Sequence, residues 1–220
     1  LMDCSGECGG DAVFDECGIC DGDNSACSGC TNPEAMNYDP VAVFDDGSCI
    51  LPDIVVPDDY STIQGALDAA SDGNTIYVRA GTYYENLVWP ETADIKLIGE
   101  DRETTIIDGQ QNDRVIRIND STNPDSAIPI THHTIISGFT IRNGEKLNGP
   151  STSGAGIFIY KGQPVLKNLI IEDNYAVSAA GIYISTIGNN YPYGDTLQFP
   201  IRDTVIVENV IFNNNQECIK

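Results

Sequence analysis

Positive charge is what this chain has least of. Its 220 residues hold 11 Lys and Arg against 33 Asp and Glu, a formal net charge of -22 at pH 7. So cation-poor a surface excludes the electrostatic footprint of a nucleic-acid binder and of a protein that docks on anionic lipid. A cationic partner, or bound metal ions, suits it better. Long apolar runs are also missing: none approaches the roughly 20 residues that a membrane-spanning helix requires, so no membrane span is expected. The opening Leu1-Met2-Asp3-Cys4 has neither the basic stretch nor the apolar core of a signal peptide, which reads as a processed chain or a fragment of a larger multidomain protein. What remains is ordinary. Hydrophobic residues make up 41% of the chain, enough to bury a real core in one medium domain with a small one beside it.

Cysteine is nearly absent from the larger part of the sequence. Seven of the eight cysteines lie between Cys4 and Cys49, and only Cys218 follows. The same stretch lacks cations altogether: residues 1–50 contain eleven Asp or Glu and no Lys or Arg, with few large apolar side chains. This places a boundary near residue 50, between a cysteine-rich acidic module (1–50) and a second domain (51–220). The first cannot fold on hydrophobic burial alone, so cross-links or metal ions must supply the difference. Disulfides imply an oxidising compartment. A zinc alternative would use Cys17, Cys20, Cys27 and Cys30 as two closely spaced pairs.

The run Asp3-Cys4-Ser5-Gly6-Glu7-Cys8-Gly9-Gly10-Asp11, continued by Asp15-Glu16-Cys17-Gly18-Ile19-Cys20-Asp21-Gly22-Asp23-Asn24, resembles the thrombospondin type 3-like cysteine repeats of large bacterial surface and secreted proteins. The stretch from Gly29-Cys30-Thr31-Asn32-Pro33 to Asp45-Asp46-Gly47-Ser48-Cys49 is similar to short repeats of the same class of proteins. The resemblance implies that Cys30 and Cys49 close one loop as a disulfide, a constraint of about 3 kcal/mol in the chain-entropy account. Five cysteines are then left in the first unit, and the odd one points to a partner before Leu1. The resemblance further implies a secreted or cell-surface, bacterial protein that takes up calcium. The hard oxygen ligands would be Asp11, Asp15, Asp21, Asp23 and Asn24 in one set, and Asn37, Asp39, Asp45 and Asp46 in another. Neither set follows the spacing of a helix-loop-helix calcium site, and the bland alternative is a solvated acidic spacer.

The second domain opens on Ser61-Thr62-Ile63-Gln64, which has the form of a capping box. Ile63, Ala66, Leu67 and Ala70 then recur on one helical face. The spacing predicts a short amphipathic helix over about 61–71, and Thr75-Ile76-Tyr77-Val78 alternates as a strand. These segments, together with Gly81-Thr82-Tyr83-Tyr84-Glu85-Asn86, Ile98-Gly99-Glu100 and Thr104-Thr105-Ile106-Ile107-Asp108-Gly109, resemble the start of pectin-methylesterase-like and other pectin-lyase-like proteins. The fold this implies is all-β: a right-handed parallel β-helix whose open end is plugged by the N-terminal helix.

Internal repetition agrees with that expectation. Residues 137–144, 167–174 and 208–215 align with one another, and 154–160 aligns with 179–185, a spacing of 25 residues. Stacked repeats bring equivalent positions together at about 4.8 Å. Asn174 and Asn215, which recur after strands, then serve the scaffold by bonding turn backbone and each other.

Residues that invite a catalytic reading have plainer ones. His132 and His133, adjacent in an expected strand, should point to opposite faces and hold no common metal, and they read as surface or turn residues. The Gly81–Glu85 element belongs to the scaffold near the cap. Gly194-Asp195-Thr196-Leu197 matches one esterase context, without the partners that chemistry needs. Asp173 and Asp203, with Arg202 or Lys167, form no recognisable lyase pattern. No catalytic residue is therefore assigned. The expected function is an extracellular β-helix that binds glycan, adheres or acts as a spacer, with Tyr160, Tyr183, Tyr191 and Tyr193 either as stacking platforms for a polysaccharide or cell-surface glycan or as plain sheet-face packing. The alternative is a polysaccharide lyase, hydrolase or pectin esterase whose active site is incomplete here. Glu217-Cys218-Ile219-Lys220 shows no capping segment, so the β-helix reads as truncated.

Overall fold

A computed structural model describes residues 2–118, 130–149, 151–160, 162–185 and 206–218. The chain divides into two compact units, Leu1–Pro52 and Asp53–Lys220.

The first unit has almost no apolar interior. Cys30 and Ala35 are its buried hydrophobic residues, whereas Met2, Val13, Phe14, Val41, Val43, Ile50 and Leu51 are exposed. Turns and sulfur bridges replace a core. Asp3 and Asp15 build the same turn: each Oδ1 accepts from the backbone N–H four residues on, Glu7 at 2.8 Å and Ile19 at 2.8 Å, and each backbone N–H donates to the carbonyl of that same residue. Such Asx-type turns are what short acidic side chains make when no helix or sheet competes. Disulfides join Cys4 to Cys20, Cys17 to Cys27 and Cys30 to Cys49, and Cys8 is free and exposed. The zinc alternative falls, because its four sulfurs are spent on these three bridges. Two very short strands, β1 (Ser28–Gly29) and β2 (Phe44–Asp45), pair in parallel.

The second unit is built mostly from strands, and every ladder among its described residues is parallel. The main sheet runs in the order β16 (Ile206–Asn213), β13 (Val165–Glu172), β10 (Ile135–Arg142), β7 (Lys96–Gly99), β4 (Thr75–Val78), β3 (Ile54–Val56). Beside it β5 (Gly81–Tyr83) pairs with β8 (Thr105–Asp108), and β8 pairs with the second half of β10. Another sheet is ordered β15 (Ile182–Ser185), β12 (Ile157–Tyr160), β9 (Ile116–Ile118), β6 (Leu87–Val88). A third joins β11 (Glu145–Lys146), β14 (Tyr175–Ala176) and β17 (Gln216–Glu217). In register, Ser137 meets Lys167 and Lys167 meets Glu208, the alignment expected from the repeats.

Register turns sequence alternation into apolar stacks. Ile54, Ile76, Leu97, Ile136 and Leu166 lie in successive layers of the main sheet and are buried. Ile107, Ile141 and Ile171 form a second stack, and Ile116 and Ile157 a third. The long strands bend halfway. Gly138 takes a φ of 81° there, and a Cβ on Gly99 or Gly138 would run into the other's carbonyl oxygen. One and two layers on, Asn168 and Asn209 make the same bend at φ 51°, which Asn tolerates better than most residues. The Nδ2 of Asn209 donates to Asn168 Oδ1 at 2.8 Å.

The helix α1 spans Ile63–Ala69 and buries Ile63, Ala66 and Leu67. Its cap differs from the expected box. Thr62 is the N-cap, its hydroxyl accepting from Gly65 N at 3.1 Å. Glu85, from the Gly81–Glu85 element, adds a clamp from outside the helix: its two carboxylate oxygens accept from Ile63 N and Gln64 N, both at 2.9 Å. Gln64 instead reaches across, pairing its amide with the backbone of Val88. Glu85 thus serves the fold, satisfying two of the four N–H groups left open at a helix start. His132 and His133 sit in a turn and are exposed, in keeping with the surface-or-turn reading though not with the strand placement, and their ring centroids are 4.5 Å apart.

Candidate ligand-binding site

The sheet β6-β9-β12-β15 turns one face inward and one outward, because strand side chains alternate. Ile157 and Ile159 enter the core, so Phe158 and Tyr160 face out, and Ile182 and Ile184 likewise leave Tyr183 outward. Phe158 and Tyr183 are in register. Their rings stack nearly parallel, centroids 5.2 Å apart at an interplanar angle of 9°. On the β9 side, the guanidinium of Arg114 lies 4.2 Å from the Phe158 ring centre. Arg114 is held there by Ser153 O and Ser151 O, each accepting at 2.9 Å. The result is a three-tier stack of cation, ring and ring in which Tyr183, half-buried, is the outermost tier among the described residues. Tyr160 shares the outward face two residues beyond Phe158. Tyr191 and Tyr193 lie outside the described residues, as do Asp195, Arg202 and Asp203.

Sequence reasoning named the two tyrosines but missed Phe158 and Arg114. The signal for Phe158 was present: the alignment of 154–160 with 179–185 puts it opposite Tyr183. Arg114 had none, since it joins the stack from a turn ahead of β9.

The acidic candidates are spread over the turns of the first unit. Asp15 spends both oxygens on backbone, accepting from Ile19 N at 2.8 Å and from Asn24 N at 3.0 Å. Asn24, at φ 66°, accepts from Glu16 N. Asp23, Asp39, Asp45 and Asp46 each use Oδ1 to accept from the N–H two residues on, at 2.9–3.0 Å. Asn37 pins the second loop from both ends of its amide, donating to Ser48 O and accepting from Ile50 N. Asp21 occupies a left-handed turn position, and Asp11 is exposed. The Ser25 and Ser48 hydroxyls, followed by the backbone N–H groups of the same residues, hold the carboxyls of Asp23 and Asp46 below the usual range. Among the described residues no three His, Cys, Asp or Glu side chains converge on a point where a metal ion would sit. None of their helices is long and apolar enough to cross a membrane.

Comparison with protein-family models, with curated proteins and with solved structures finds no match to this chain.

Lys167 and Asp173, weighed for lyase chemistry, lie in and just after β13. Asp173 takes a hydrogen bond from the Asn214 amide through Oδ1. Asn174 is buried, its Oδ1 accepting from Gly144 N at 2.8 Å and its Nδ2 donating to Ile141 O and to Asn215 Oδ1. Asn215 repeats the pattern, donating to Ile171 O. These amides tie one layer to the next.

Proposed function

We propose that the second unit is a right-handed parallel β-helix of the pectin-lyase-like kind, that the whole is an extracellular or cell-surface protein, and that it binds glycan without cleaving it. The observation that carries the binding reading is the stacked Tyr183 ring on Phe158, braced by Arg114 and flanked by Tyr160. A ring whose orientation is already fixed loses little entropy when a sugar ring lies on it. The winding reading rests on the strand order: the chain visits the same sheets in the same sequence layer after layer, and parallel crossovers are right-handed in nearly all proteins. Three disulfides support an oxidising compartment. Calcium belongs to the same reading. Eleven carboxylates share residues 1–50 with no cation, and those that close a turn with Oδ1 keep Oδ2 for an ion.

The test is a glycan array probed with the 220-residue chain and with Tyr183→Ala. The chain should retain a defined set of glycans, and the variant should bind them at least tenfold more weakly at an unchanged melting temperature. Retention of no glycan above background overturns the proposal. Incubation with polygalacturonate and with its methyl ester, calcium present, should release neither unsaturated products nor methanol.

A further inference from the structure

A groove of about 400 Å³ crosses the layers of β11, β14 and β17. Two ladders line it. One is Glu145, Tyr175 and Gln216, in register along these short strands. The other is Asn143, Asp173 and Asn214, which follow β10, β13 and β16 at left-handed φ of 55°, 52° and 47°. The left-handed turn repeats because each long strand must swing into the next sheet at this point, and Asn and Asp are the side chains that tolerate it.

We infer that this groove is a second carbohydrate site, one that takes a neutral, extended oligosaccharide laid across the layers with about one sugar residue per layer. The inference rests on the glycan-binding reading and adds to it a place and a charge class. Three features argue for it. Layers of a parallel sheet repeat every 4.8 Å or so, close to the advance of one pyranose ring along an extended chain. The lining is chiefly carboxamide and phenol, groups that donate and accept at once and so match hydroxyls. The carboxylates of Glu145 and Asp173 accept from vicinal hydroxyl pairs but repel a uronate. The neighbouring cations are already engaged: Arg142 Nε is 2.9 Å from Asp108 Oδ2, and Lys146 Nζ is 2.8 Å from Asp113 Oδ1. An acidic polymer would find no free counter-charge in them.

The experiment titrates the 220-residue chain by calorimetry with cellohexaose, mannohexaose and xylohexaose, and with hexagalacturonate and hexalysine as charged controls. The proteins are the parent, E145Q, Q216A and Y183A, each checked for an unchanged melting temperature. At least one neutral hexamer should bind with an affinity insensitive to added salt. Q216A and E145Q should each weaken it about tenfold, and saturation-transfer spectra should show the same loss. Neutral binding that Y183A abolishes and both groove variants leave intact overturns the groove while the glycan reading stands. Preference for hexagalacturonate, or hexalysine binding that collapses with salt and exceeds every neutral hexamer, also overturns the groove. Binding of no hexamer overturns both.

Discussion

The two units solve the same problem with opposite means. The first has eleven carboxylates, few buried apolar side chains and three sulfur bridges across separations of 16, 10 and 19 residues. The second has no disulfide among its described residues and an unbroken stack of Ile, Leu and Val. Local order in the first comes from Asp and Asn oxygens that satisfy turn N–H groups. In the second it comes from register, which places like side chains over one another. A short polar chain stays folded when its unfolded state is constrained, whereas a long layered one stays folded because each layer removes the next from water.

Reduction should divide them most sharply. Opening three loops, each worth about 3 kcal/mol in the chain-entropy account, should unfold residues 1–52 completely. Hydrogen exchange followed by mass spectrometry should then show protection lost there and kept in β10 and β13. Protection retained in the first unit after reduction would break the comparison.

Next in size is the converse change. Phe139→Ala removes a fully buried ring and should cost the second unit about 3–5 kcal/mol, read as a shift in its denaturant midpoint. The first unit's exchange pattern should not move.

Calcium is the third lever. Saturating the acidic module at a hundredfold excess over its Kd should stabilise it by about 2.7 kcal/mol, and a chelator should reverse the gain. A melting curve indifferent to chelator would mean that the carboxylates do no more than build turns. Protection confined to the second unit would put the cation in the wrong place.

The smallest effect is one of pH. Burial alone would raise the Asp108 carboxyl, but the Gln110 N–H, the Asn143 amide and the Arg142 guanidinium outweigh it and hold it below 3.8. A carboxyl lowered on folding adds stability above its unfolded value, and that stability fades as pH falls through the folded one. The second unit should therefore weaken below about pH 4, and Asp108→Asn should flatten that part of its stability curve. A variant with the parent's acid limb would show that other groups govern it.

A mostly-strand second unit with parallel pairing was legible in the sequence because alternation and repetition are local signals. The alignment of 137–144 with 167–174 and 208–215 gave the register directly, since a slip of one residue would turn Leu169 and Ile171 out of the core. The N-cap could be read only to within a residue. Glu85 clamps the helix from 22 residues away, and nothing in Ser61-Thr62-Ile63-Gln64 reveals that a distant carboxylate satisfies its first N–H groups. Connectivity among Cys4, Cys8, Cys17, Cys20 and Cys27 was likewise closed to sequence, because crowded cysteines admit many pairings. The groove escaped notice for a different reason. Glu145, Tyr175 and Gln216 are unlike in chemistry and separated by 30 and 41 residues, so no period links them until the sheets are seen.

The Asn174 amide also bears on how the protein ages. Asparagine followed by glycine is the pair most prone to spontaneous deamidation, which begins when the glycine nitrogen attacks the side-chain amide carbon. Asn143-Gly144 is such a pair, yet the Gly144 nitrogen donates to Asn174 Oδ1 and the Asn143 amide to Asp108, so the attacking atom and its target are each held by a different neighbour. Asn148-Gly149 has the same two residues in an exposed loop. The chemical clock of this chain should run at Asn148 and stand nearly still at Asn143.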